Sequence, residues 1–334
     1  MKLVSYLLKG KDRLGLLYND RIFDMEMFIE GISSMKLFLD NWNLHYPKAI
    51  EGLEKIKQGK ISQEHSFALT DANLMAPVPC PTSCRDGYAF RQHVAAARRN
   101  RKVPMIPEFD QYPIFYFTNH NSVMGPGDIP CMPDHFHKLD FELEVAVVLC
   151  RKGRNIKAEE ADQYIGGLMI MNDMSARTLQ MEEMLLNLGP AKGKDFATVI
   201  GPWLVTLDEL KEYEVAAKKD HVGKNWNLRM QCRVNGDLLS DGNVADMDWT
   251  FAEIIERVSY GVDVYPGDVI GSGTVGTGCL LELNGTAKLE NPDYQERWLK
   301  DGDVVEMEIT GLGTLVNTIR AEKTNHSILA KKKI

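Results

Sequence analysis

"KLDFELEVAVVL", residues 138–149, alternates acidic with apolar side chains and then turns wholly apolar. Successive side chains of a strand point to opposite faces, so the pattern predicts a strand with Asp140, Glu142 and Glu144 on one face and Phe141, Leu143 and Val145 on the other. Two readings of that acidic row compete. In the first, a half-exposed strand offers its carboxylates to water. In the second, the acids share a cation, because neighbouring carboxylates otherwise repel one another or force one to keep its proton. The rest of the chain has to decide between them.

The 334 residues are 44% hydrophobic and 26% charged, with a formal net charge of −8, which predicts a soluble globular protein able to bury a sizeable core. An acidic balance argues against nucleic acid as the main partner, since proteins that grip phosphate backbones carry a basic stripe. The one dense basic cluster, "RRNRK" at 98–102, reads as a solvated helix end. The opening "MKLVSYLLKGKDRLGLLYND" has an apolar run too short for a signal-peptide core or a membrane span, so no membrane partner and a cytoplasmic location are expected. Cysteines at 80, 84, 131, 150, 232 and 279 make neither a disulfide framework nor a paired zinc cluster and read as reduced and structural.

Short strand candidates at 3–8, 14–18 and 21–24, followed by amphipathic helices near 25–42 and 47–58, predict a small α+β domain over residues 1–75. "APVPCPTSC" at 76–84 has three prolines in nine residues and reads as an extended linker. Beyond it, over 76–334, strands at 141–150, 166–171, 202–206, 228–234, 268–270, 279–283 and 303–309 do not alternate regularly with helices. A mixed, β-rich α+β domain fits that order better than a doubly wound parallel sheet.

Three motifs look functional and are set aside. "GSGTVG" at 271–276 satisfies GxGxxG, yet "CLLELNG" at 279–285 reads as a strand where a dinucleotide fold needs a helix. What remains is a glycine turn whose N–H groups could hold a carboxylate. "GPAKGKD" at 189–195 has Asp195 where a phosphate loop needs Ser or Thr. His135 and His137 of "DHFHK" have no further histidine nearby and read as a surface loop.

The acids that could join the row lie elsewhere in the chain. In "GGLMIMNDMSARTLQ", 166–180, an apolar strand ends at Asn172 and Asp173; a helix starting at Asp173 would carry Asp173, Arg177 and Gln180 on one face. In "RDGYAFRQHVAAARR", Asp86 and His93 stand seven residues apart on one predicted helical side, and an imidazole near neutrality suits a general base. Lys194 sits in a glycine loop. Glu282 lies inside the apolar "CLLELNG", where a buried carboxylate would need a partner.

The segments "RDGYAFRQH", "DFELEVAVVL", "NDMSARTLQ", "GKDFATVIGPWLV", "GSGT", "LLELNG" and "DGDVVEMEITGLGTLVNTI", in that order, make the chain resemble the fumarylacetoacetate hydrolase family over about residues 76–322. The resemblance implies a mixed β-sheet roll or sandwich as the catalytic domain, 76–334, preceded by the family's small α+β N-terminal domain. It implies a metal site of Asp86, Glu142, Glu144 and Asp173, with Asp140 outside it. It also implies a water-activating pair, His93 and Glu282, and substrate contacts from Lys194, Arg177, Gln180, Tyr88 and Thr274. Four carboxylates without clustered Cys or His suit a hard cation, Mg²⁺ or Ca²⁺, with Mn²⁺ also compatible.

The expected activity is metal-dependent hydrolysis of a carbon–carbon bond in a β-diketo acid, fumarylacetoacetate leading, by a homodimer. The family alternatives are an acylpyruvate or fumarylpyruvate hydrolase, or an isomerase or decarboxylase of aromatic catabolism. A non-catalytic binder on the same fold would need no base such as His93. Thr178, Met184 and Asp195 depart from the family pattern, as does the segment 104–128.

Overall fold

Both faces of the acidic strand are buried. In the computed structural model, which describes residues 1–331, strand Leu143–Leu149 lies wholly inside the protein. Leu143, Val145, Val147 and Leu149 enter a core shared with Met230, Met307 and Leu315. On the opposite face, Ala146 and Val148 pack with Leu3, Phe23 and Phe38. Each such side chain contributes about 1.5–3 kcal/mol by leaving water, which excludes the solvated-strand reading.

Two sheets carry this core. The larger runs in the order Ser66–Ala68, Arg21–Asp24, Lys11–Tyr18, Lys2–Leu8, Thr198–Val205, Ile165–Asp173, Leu143–Leu149, Val269–Gly271, Cys84–Gly87, Phe115–Thr118. The second has five strands, ordered Asp237–Asn243, Arg229–Val234, Val304–Ile309, Gly313–Ala321, Gly127–Cys131. The result is a mixed, sheet-rich α+β fold. Among the described residues, seven α-helices flank the sheets: α1 (Met35–Asp40), α2 (Trp42–Lys57), α3 (Arg91–Asn100), α4 (Ala158–Ala161), α5 (Arg177–Leu185), α6 (Phe251–Ser259) and α7 (Leu280–Glu290). Lys2 and Leu3 of the first strand pair with Val205 and Leu204, which makes the N-terminal hairpins part of the larger sheet, and α1–α2 pack on its face through Phe38, Leu39 and Leu53.

Strand register brings the acids together. Ile165–Asp173 runs antiparallel to Leu143–Leu149, with Asn172 opposite Leu143, so it ends at Asp173 beside the start of the acidic strand. On the other side Gly271 pairs with Ala146, and Cys84–Gly87 runs parallel to Val269–Gly271 with Asp86 opposite Gly271. Three carboxylates from three strands thereby reach one end of the sheet.

Several local expectations are corrected. The predicted continuous strand breaks at Phe141 and Glu142: Asp140 belongs to a short Leu139–Asp140 bridge pairing with Ser175–Ala176 and does not share a face with Glu144. Asp86 lies on a strand, and only His93 is helical. The helix expected from Asp173 begins at Arg177, because the preceding residues extend the sheet through Asp173 and then the bridge. Residues 279–283 form the start of α7 rather than a strand, and its inward side carries Glu282 and Asn284 beside Leu280, which scrambles the apolar period of a helix. His135 is buried in a 3₁₀ turn with its ring 4.0 Å from that of Phe196, and so is not on a surface loop.

Candidate functional site

Asp86, Glu142, Glu144 and Asp173 are all buried, and one carboxylate oxygen from each lies within 4.8 Å of the others. The backbone between them admits no side chain. A Cβ on Gly271 would stand 2.5 Å from Asp86 Oδ1 and 2.9 Å from Glu144 Oε2. Gly273, at φ +80°, turns its N–H toward both acids, donating to Asp86 Oδ1 at 3.0 Å and Glu144 Oε2 at 3.1 Å. The glycine loop therefore serves carboxylates, as the sequence suggested, although a helix follows it.

Two cations complete the cluster. Lys194 Nζ, 4% exposed, contacts Glu142 Oε2 and donates to Asp173 Oδ2 at 2.7 Å. Arg177 reaches Glu142 Oε1 at 2.7 Å and Asp140 Oδ2 at 2.8 Å, and its third nitrogen donates to Gln180 Oε1 at 2.9 Å. Arg177 thus serves Glu142 and Asp140, not the Asp173 of the same predicted face. Tyr116, missed in the sequence, donates its hydroxyl to Asp173 Oδ2; only the Asp86–Tyr116 register across the sheet brings it there.

The titration behaviour follows from this arrangement. Burial pushes Asp86 up to about 7. Burial and then the Asp86 charge hold Glu144 well above the ordinary glutamate range. Glu142 is also buried, but Lys194 and Arg177 overcome that and hold it near 2. Burial raises Asp173 too. Asp173 Oδ1 is buried and has no hydrogen-bond partner among the described residues. Like charges that retain protons, an orphaned oxygen and four converging carboxylates together fit a hard divalent cation.

A cation must displace the protons that Asp86 and Glu144 retain, so its binding should strengthen as pH rises. Without a cation, the raised Asp86 value makes the folded state bind more protons than the unfolded chain between about pH 4 and 7. That contribution to stability is present at low pH and lost as pH rises through 7. The expected result is a larger Tm gain on adding Mg²⁺ or Mn²⁺ at pH 8 than at pH 5.5, read by differential scanning fluorimetry. A gain that ignores pH would contradict the cluster's assignment.

The second element of the site is His93 on α3, whose Nδ1 lies 2.6 Å from Glu282 Oε2 of α7. Glu282 Oε1 accepts the Thr277 N–H at 3.0 Å, so the carboxylate is fixed at both oxygens. With the proton on Nδ1, Nε2 keeps its lone pair. His93, Glu282, Asp86, Glu142, Lys194 and Arg177 all line one cavity of about 730 Å³. Tyr88, Thr274 and Gln180 line it as well; Tyr88 meets the His93 ring edge-on at 6.1 Å, and Thr274 Oγ1 lies 3.4 Å from Glu144 Oε1.

All eleven residues singled out in the sequence thus gather around one cavity and its acidic floor. Asp140, which the strand pattern put in the same row and the resemblance left outside the site, stays off the cluster and binds Arg177 and the N-terminus of α7.

Comparison with known proteins gives a consistent picture. Residues 82–320 match the family model described as the fumarylacetoacetate (FAA) hydrolase C-terminal region. The chain is 34% identical over 258 residues to the human mitochondrial oxaloacetate tautomerase FAHD2A, covering 75% of this chain and 70% of that protein. It is 30% identical over 257 residues to oxaloacetate tautomerase YisK of Bacillus subtilis, covering 76% and 75%. A fumarylacetoacetate hydrolase structure from Exiguobacterium antarcticum superposes with a TM-score of 0.68 at 24% identity, covering 96% of this chain and all of that one.

Proposed function

The chain belongs to the fumarylacetoacetate hydrolase family, and from that premise we propose that it interconverts the keto and enol forms of a 2-oxo acid. The observation that carries this reading is the His93–Glu282 pair, joined at 2.6 Å and opening onto the same cavity as the four buried acids. The names of relatives at 30–34% identity support tautomerisation ahead of the fumarylacetoacetate hydrolysis expected from sequence.

Asp86, Glu142, Glu144 and Asp173 would hold a divalent cation, which when bound would supply Lewis-acid polarisation at the floor of the cavity. In our reading the protein does the proton work. His93 Nε2 takes a proton from C3; the C–H electron pair becomes the C2=C3 π bond and the carbonyl π pair moves to the C2 oxygen, giving the enolate. Glu282 steadies the imidazolium through the Nδ1–H bond. The imidazolium of His93 gives that proton to the C2 oxygen to complete the enol, which leaves the imidazole neutral again, and the reverse sequence restores the ketone. Lys194 and Arg177 donate toward the developing oxyanion, a type of contact worth about 3 kcal/mol per donor in other enzymes. Tyr88, Thr274 and Gln180 orient the acid.

A second reading rests on the same pair. A base that takes a proton from carbon can take one from water, which would cleave a β-diketo acid such as fumarylacetoacetate or an acylpyruvate. One assay separates the two. The protein, chelated and then resupplied with Mg²⁺, should accelerate the absorbance decay of enol-oxaloacetate at least tenfold over buffer. Decay at the buffer rate, with rapid loss of a diketo acid instead, would favour hydrolysis. A homodimer in the cytoplasm belongs to the same proposal, and light scattering would test the dimer.

A further inference from the structure

The proposed proton transfer uses only the floor of the cavity. A four-carbon acid spans about 4 Å between its end carbons, whereas the cavity holds about 730 Å³. Three helices wall the remainder, each offering residues one turn further out. On α3, His93 is followed by Ala97 and, at the C-cap, Arg101; on α5, Arg177 by Met181 and Met184; on α7, Glu282 by Gly285 and Leu289. At 1.5 Å rise per residue, seven or eight residues carry each wall about 10–12 Å outward.

The outward positions are chemically unlike the floor. Ala97 has almost no side chain with which to fill the middle of the channel, and Gly285 leaves room for the Asn100 side chain, which a Cβ there would meet at 2.4 Å. Met181, Met184, Leu289 and Ile114 line the outer part and remain between 40% and 52% exposed. Apolar side chains left wet on a concave wall mark a surface awaiting a partner. Thioethers suit a flexible apolar guest. Of the cations at the rim, Lys288 is already paired with Glu296 at 2.7 Å.

We propose that the substrate is a 2-oxo acid bearing an apolar substituent of about six to eight carbons, seated between α5 and α7 with its acid head on the carboxylate floor. The length follows from about 10 Å of wall at about 1.3 Å per methylene. The placement of the head rests on the reading given under Proposed function. The occupant is the substrate's own chain, because the apolar wall is continuous with the acidic floor.

N-alkyl oxamates, unreactive 2-oxo acid analogues, provide the test. Titrated calorimetrically into the Mg²⁺-loaded protein, the series from methyl to hexyl should bind about threefold tighter for each added methylene. Met181→Gln with Met184→Gln should reduce that gain by at least half. A series that is flat or weakens with length in the native protein overturns the proposal. Tautomerisation of oxaloacetate and of a 2-oxo acid bearing a hexyl chain, measured alongside, separates the two readings: turnover with a flat series leaves the reaction standing and removes the long substrate, whereas a rising series with turnover of neither acid supports the apolar channel and removes the reaction.

Discussion

His93→Ala should lower kcat by about 10³, within the range expected when a general base is removed, while leaving cation affinity nearly unchanged. The separation of effects is the point. His93 touches none of the four clustered carboxylates through a hydrogen bond; its partner is Glu282, and Glu282 keeps the Thr277 N–H after the ring is gone. A cation titration followed by Tm should therefore overlay the native curve within a fewfold in Kd. Glu282→Gln is the companion variant: it retains the shape but weakens support for the imidazolium, and about 10–100-fold loss is expected. Undiminished turnover in His93→Ala, whether of an enol-oxo acid or of a diketo acid, would remove the imidazole from the mechanism. Equal loss of cation binding would instead make His93 part of the metal site.

The site was readable from sequence chiefly through the family's motifs. Alternation in 138–149 put Glu142 and Glu144 on one side and an apolar strand ended at Asp173, whereas Asp86 joined them only through the resemblance. Pattern fails where a long-range partner decides the local structure. Residues 280–290 form a helix whose first N–H groups are met by Asp140, some 140 positions earlier, and no local signal announces that. Asp86 read as helical because helix α3 begins five residues later and its apolar period extends backward by chance. Tyr116 sits in a segment whose departure from the family pattern hid it, and only sheet register delivers its hydroxyl to Asp173. The reaction was less legible still, since one base beside one cation serves both tautomerisation and hydrolysis.

Asp140→Ala should destabilise the protein by about 3–5 kcal/mol, the usual consequence of leaving half of a buried ion pair behind. Asp140 is fully buried, and both of its oxygens are occupied. Oδ1 accepts from the N–H groups of Phe141 at 2.9 Å and Leu280 at 2.7 Å. Oδ2 accepts from Leu281 N–H at 2.9 Å and Arg177 Nε at 2.8 Å. Truncation would strand a guanidinium only 3% exposed with Glu142 as its remaining acid, and would uncap the helix that carries Glu282. Asp140→Asn keeps the shape and one acceptor but turns an amide N–H₂ toward donors, so about 2–3 kcal/mol is expected there, near the value of a charged hydrogen bond. Chemical denaturation would read both differences. Because Asp140 joins Arg177 to the first turn of α7, kcat in the folded fraction of either variant should fall as well, through misplacement of Glu282 and hence of His93. An Asp140→Ala protein within 0.5 kcal/mol of native, with undiminished kcat, would mean that the acidic cluster and the imidazole pair are held in place independently of this carboxylate.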